Sequence, residues 1–261
     1  MPRHTERQRL SSGATTTGVP VLELRNVSKS YGDGPSLVQA VTDINLRTEA
    51  GEMVALMGPS GSGKSTLLTI AGSLENPTNG EILIGGTSLS AMSRNDKARL
   101  RRRSIGFVFQ DYNLLPGLTV VENVSLPLEL DGTSARKAHL TAIRALTGLG
   151  LEDRARHYPD QLSGGERQRV SIARAVVGDR QLLLADEPSG ALDSANAAAV
   201  MQLIRNVCRR GVTAVVVTHD TKMASWADRI VRIMDGRVVG QERTSAHGES
   251  LGQPGLASEP F

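Results

Sequence analysis

Three short stretches of the chain carry side chains suited to phosphate chemistry. GPSGSGKST at 58–66 follows the spacing G-x-x-x-x-G-K-[ST]. Gly58, Gly61 and Gly63 free its backbone to wrap around phosphates, and Pro59, Ser60, Ser62 and Thr66 complete the loop. Lys64 is placed to reach β- and γ-phosphates, and Ser65 to ligate Mg²⁺. LLLADEP at 182–188 is an apolar run ending in two carboxylates. Asp186 at the strand tip is suited to hold Mg²⁺ through water, and Glu187 to polarise an attacking water. LSGGERQRV at 162–170 reads as a second phosphate-suited helix start. Ser163 is an N-cap, Glu166 can close a capping box, and Gly164 and Gly165 leave the first N–H groups uncovered.

These residues need strands and helices to hold them. MVALMG at 53–58 is a buried strand entering the glycine loop, with a helix from Ser65 to about Gly72 behind it. VLELR at 21–25 and VTDINLR at 41–47 alternate like half-buried strands, and EILI at 81–84 is bracketed by glycines. Ser93 and Asp96 start a basic helix, FVFQ at 107–110 reads as a brief strand, and a helical segment covers about 134–148. Residues 91–165 therefore read as a mainly helical subdomain inserted in an α/β core. The core resumes with the helix after Ser163 and the strand at 181–186. A helix from Ser194 to about Arg210 is stopped by Gly211, and TAVVVTHD is a further strand. RIVRIMDGRVV then reads as a hairpin turning at Asp235–Gly236. Residues 1–19 read as a disordered arm and 241–261 as a flexible tail.

Composition sets the outer limits. The 261 residues suffice for one α/β domain with a modest subdomain, and with 3% aromatics the core must be aliphatic. A net charge of +3 gives no reason to expect a nucleic-acid partner. The N-terminus lacks a signal peptide's apolar stretch, and no apolar run approaches the roughly 18 residues of a spanning helix. A cytosolic protein is expected. Cys208, the lone cysteine, sits in a helical pattern and reads as a small buried hydrophobe. The cluster Lys97, Arg99, Arg101, Arg102, Arg103 reads first as a solvated helix face. Its other reading is contact with anionic lipid or a partner's acidic loop.

On these motifs the chain resembles the ATPase subunit of ATP-binding cassette (ABC) transporters, from about residue 21 to 240. The resemblance implies a P-loop NTPase fold with a RecA-like core, an N-terminal antiparallel β subdomain and an inserted α-helical subdomain. LSGGE at 162–166 is similar to the family signature, with Glu166 where Gln is commonest. Gln110 matches the Q-loop residue that meets the γ-phosphate and Mg²⁺. His219 matches the switch histidine, Asp193 the D-loop, and Tyr31 the aromatic that stacks on adenine. Ser189 stands where Thr is more frequent. The resemblance further implies ATP and Mg²⁺ as ligands, and a head-to-tail homodimer in which Ser163, Gly164 and Gly165 close on the partner's nucleotide. FVFQDYNLLPGLTVVENVSLPLEL at 107–130 is similar to cassettes of macrolide export, lipoprotein release and peptide-antibiotic resistance. Those work with few-helix permeases bearing a large extracytoplasmic domain, which would hold this chain at the inner face of the membrane. The same branch contains a cell-division cassette, so the alternative is a regulatory ATPase that signals through a membrane partner without transport. A P-loop kinase would leave LSGGE and His219 unexplained. The transported substrate is not written in these residues.

Overall fold

The computed structural model describes residues 18–244. A six-stranded sheet forms its centre, flanked by a four-stranded antiparallel sheet and by helices. The central strands in chain order are β3 (Met53–Met57), β6 (Ile105–Val108), β7 (Leu182–Asp186), β8 (Thr213–Val217), β9 (Arg229–Met234) and β10 (Arg237–Arg243). They lie side by side as β10-β9-β3-β8-β7-β6, parallel except for the β9–β10 hairpin. The smaller sheet has the order β2-β1-β4-β5, from β1 (Leu22–Tyr31), β2 (Val38–Thr48), β4 (Asn79–Ile84) and β5 (Thr87–Ser88).

The inner parallel strand β3 and the bodies of β7 and β8 are apolar because both faces are covered, while β9, nearer the edge, carries Arg229 and Arg232. Strand alternation sends Val54, Leu56, Leu182, Leu184, Val215 and Val217 into one core, shared with the small sheet and α1 (Lys64–Ala71). The intervening Met53, Ala55, Leu183, Ala185, Ala214 and Val216 fill a second core under α5 (Gly164–Val176) and α6 (Ser194–Arg209). A third core joins α3 (Val120–Leu130) and α4 (Ala135–Thr147) to α5 through Val124, Leu146 and Val170. The remaining helices are α2 (Arg94–Ser104) and the short α7 (Thr221–Ala224).

Several boundaries differ from the sequence reading. The helical insertion does not begin at about 91. Ile105–Val108 pairs with Leu182–Ala185 inside the central sheet, and α2 leads directly into it. The brief strand thus starts two residues before FVFQ and ends before Gln110, because Ile105 and Val108 are the residues that bury. The first two strands run longer than expected, paired through a β-bulged register. The C-terminal strand continues past 240 to Arg243, held by Arg229 donating to Gln241 and by an Arg232–Glu242 ion pair. The Asp235–Gly236 turn has φ of 48° and 72°, the doubly left-handed geometry of a two-residue hairpin. Cys208 is buried, and burial pushes its thiol up to about 12. Residues 1–17 and 245–261, covering nearly all of the expected arm and tail, lie outside the described residues.

Candidate nucleotide site

The loop 58–63 leaves the carboxyl end of β3 and enters α1 through Gly63, at φ 95°, with no side chain capping the helix. The first N–H groups of α1 therefore have no intrahelical partner and form an anion seat. Its walls are backbone. A Cβ on Gly58 would lie 2.0 Å from the Ile233 carbonyl oxygen, and one on Gly63 would lie 2.2 Å from that of Ala40. Lys64 is only 8% exposed. Its Nζ donates to the carbonyls of Gly58 (2.9 Å) and Pro59 (2.7 Å), lying across the loop it would share with a phosphate.

Parallel pairing brings the other candidates to the same edge, where ligands of open α/β sheets gather. Asp186 ends β7, and Glu187 follows it with φ 45°, its N–H donating to the Val217 carbonyl at 3.0 Å. Thr218 donates to Leu56 at 3.2 Å, so β3, β7 and β8 stay joined past their ends. His219 follows β8, and its Nδ1 lies 2.8 Å from Glu187 Oε1. The histidine side chain is 74% exposed and the glutamate 17%. This carboxylate raises the imidazole pKa above its ordinary value, first through the hydrogen bond and then through its charge. Gln110 follows β6, and its Nε2 lies 3.8 Å from where a Gly190 Cβ would stand, beside Glu187 Cβ at 3.5 Å. Sequence separations of more than a hundred residues thus collapse into one corner.

The LSGGE stretch is built differently. Ser163 N donates to Glu166 Oε2 (2.8 Å) and Glu166 N to Ser163 Oγ (3.2 Å), a complete capping box. Arg154 holds the other carboxylate oxygen at 3.1 Å. The Ser163 N–H, above all, lowers the Glu166 pKa to about 2. Asp193 caps α6 by accepting from Ala195 N and Asn196 N, which lowers its own pKa. A Cβ on Gly165 would meet Asn196 Oδ1 at 2.5 Å, so the signature glycine rests on the Asp193 turn. Among the described residues no hydrogen bond or ion pair joins Ser163–Glu166 to the 58–66 loop.

Tyr31 closes β1 and is 40% exposed. Its hydroxyl donates to Glu75 at 3.0 Å, and Lys29 Nζ stands 4.9 Å from its ring centroid. Desolvation, followed by the hydrogen bond to Glu75, raises the phenol pKa. Glu75, Lys29, Arg154 and Asn196 were not foreseen as supporting residues. Only Asn196 had a local signal, standing three residues after the Asp193 cap.

No group of three or more His, Cys, Asp or Glu is placed to hold a metal among the described residues. Ser65, Asp186 and Gln110 offer a hydroxyl, a carboxylate and an amide oxygen. This all-oxygen set fits magnesium carried largely by phosphates and water.

The family model described as ABC transporter matches residues 41–190. The chain belongs to the ABC transporter family. This ABC cassette is 47% identical over 239 residues to the macrolide export ATP-binding/permease protein MacB of Marinobacter nauticus, covering 90% of the chain and 37% of that relative. For the MacB of Shigella flexneri the identity is 46% over 220 residues, covering 84% and 34%. The chain thus spans little more than a third of the length of these relatives. The dimeric structure of the cassette MJ0796 superposes with a TM-score of 0.80 at 42% identity, covering 86% of this chain and 99% of that one. A post-hydrolysis dimer of MJ0796 bound to ADP and Pi matches equally well. The chain is an ABC ATPase domain that binds ATP.

Proposed function

We propose that this cassette powers a membrane exporter of the MacB type as a head-to-tail pair, each copy's LSGGE helix start closing on ATP held by the other's Lys64 loop. One observation carries this reading. The chain has two phosphate-suited helix starts, and only the Lys64 loop sits with Glu187, His219 and Gln110. The MJ0796 dimers support it. Tyr31 stacks on the adenine, and the loop 58–66 wraps the phosphates. Lys64 exchanges its bonds to Gly58 and Pro59 for phosphate oxygens. Magnesium held by Ser65, Asp186 and Gln110 would neutralise charge on the β- and γ-oxygens. Glu187 orients a water and accepts its proton as the water oxygen bonds to the γ-phosphorus and the bond to ADP breaks. His219 and the partner's LSGGE donors offset the charge that develops.

No helix among the described residues is long and apolar enough to cross a membrane. In this reading the translocation path is a few-helix permease with an extracytoplasmic domain, and the cassette works at its cytoplasmic face. Glu187→Gln should abolish turnover yet give an ATP-dependent dimer in size-exclusion chromatography. A variant that stays monomeric with saturating ATP overturns the paired site.

A further inference from the structure

Arg154 closes a 3₁₀ turn, Glu152–Arg154, whose place is fixed from both sides. Leu151 before it and Ala155 after it are buried in the third core, with α3, α4 and α5. Val120 and Val121, at the start of α3, donate backbone bonds to the His157 and Ala155 carbonyls at 2.8 and 2.9 Å. From this held backbone the Arg154 side chain reaches the LSGGE helix, where its Nε lies 3.1 Å from Glu166 Oε1. That is the carboxylate oxygen the capping box leaves free, since Oε2 already accepts the Ser163 N–H at 2.8 Å. The box is complete without Arg154, which therefore adds charge to this helix start and not shape. Among the described residues each is the other's only ion-pair partner. The arginine side chain is 47% exposed and the glutamate 20%, so the pair borders a face open to a second chain.

With its pKa lowered to about 2, Glu166 is ionised at neutral pH. It stands three positions after Ser163, on the helix start that receives the partner's triphosphate in the paired site proposed above. Like charges brought together across an interface cost affinity, and the α5 dipole offsets only part of this one. We infer that Arg154 is a positioning residue of the shared ATP site, its guanidinium cancelling the Glu166 charge so that the Ser163–Gly165 donors can close on the partner's phosphates. The inference rests on the paired-site reading. It gives Arg154 a task that the capping box does not perform, because the box fixes where Glu166 lies and leaves its charge in place.

The test is a double-mutant cycle in the full chain carrying Glu187→Gln, with size-exclusion chromatography reading the ATP concentration that gives half-maximal dimer. Arg154→Gln should raise that concentration about ten-fold. In the Glu166→Gln background the same change should raise it less than about two-fold, because no carboxylate charge is left to offset. Arg156→Gln removes equal charge from an exposed position two residues on and should act less than about two-fold in either background. A purely structural Arg154 predicts equal losses in both backgrounds, and that result overturns the proposal. So does an Arg156→Gln effect as large as that of Arg154→Gln, or an Arg154→Gln chain that dimerises at its parent's ATP concentration. A Glu187→Gln parent that stays monomeric at saturating ATP removes the paired site itself, and the role of Arg154 with it.

Discussion

The start of α1 is open, with an uncapped first turn and walls of backbone from Ala40 and Ile233. The start of α5 is closed on itself by Ser163 and Glu166, and its glycines rest on side chains, Asn196 and the Tyr112 hydroxyl. Sequence alone makes both look like anion seats, because each pairs glycines with a helix N-terminus. The structure separates them. Glu166 already supplies the negative charge that the α5 dipole favours, and Arg154 holds it in place. A free phosphate has less to gain there than at α1. What α5 still offers is the Ser163 hydroxyl proton and the glycine N–H groups, which suits a nucleotide brought by another body.

The largest effects expected from this contrast are steric. Gly58→Ala would push a Cβ against a carbonyl fixed in β9, costing about 3 kcal/mol and nucleotide binding with it. Gly165→Ala meets only the Asn196 side chain and should cost about 1 kcal/mol while leaving ATP affinity unchanged. Denaturant melts and nucleotide titrations of the pair check this. Equal losses would erase the distinction between rigid and movable walls.

The capping box predicts a smaller, pH-dependent effect. Ser163→Ala should cost about 1 kcal/mol of stability at neutral pH, and Glu166→Gln, which keeps the shape of the box but loses the carboxylate charge and its Arg154 pair, should also cost stability there. A carboxyl lowered on folding stabilises above its unfolded value, about 4.3 for Glu. The contribution fades as pH falls toward the folded value of about 2. The stability difference between wild type and Glu166→Gln should therefore change across that acid window, as read by melts from pH 5 downward. A flat difference would mean that Glu166 carries no folding-linked charge.

The smallest expected effect lies at the open end. Because Glu187 raises the His219 pKa, the charged pair persists below that raised value and separates as pH rises through it. An NMR titration should place His219 above the ordinary 6.5, and Glu187→Ala should return it toward 6.5. No change in the variant would remove Glu187 as the cause.

Local patterns made much of this legible. The glycine spacing of 58–66, the apolar runs ending at Asp186 and Val217, the Ser163/Glu166 box and the Asp235–Gly236 turn are short-range signals, and each stands where its pattern implies. The start of the helical insertion is not legible in the sequence because Ile105–Val108 is only four residues long. Four apolar residues cannot show whether they pair in a distant sheet. Arg154, Glu75 and Lys29 were invisible for a related reason, since their partners lie 12, 44 and 46 positions away with no local period. The basic cluster on α2 looked uniform in sequence. Only the fold shows that Asp131 claims Arg102 and Arg103 and leaves Arg94, Lys97 and Arg101 facing a trough.

The central claim is that the two helix starts complete each other only across a pair of chains. Lys64→Ala and Ser163→Arg should each abolish ATP hydrolysis alone, the second while still binding nucleotide. Mixed together they form heterodimers in which the Lys64 loop of one chain faces the intact Ser163 of the other. Random pairing leaves one composite site in half of the dimers, so mixing should restore about a quarter of wild-type turnover. A mixture that stays as inactive as its components, with heterodimers present, would contradict the shared site.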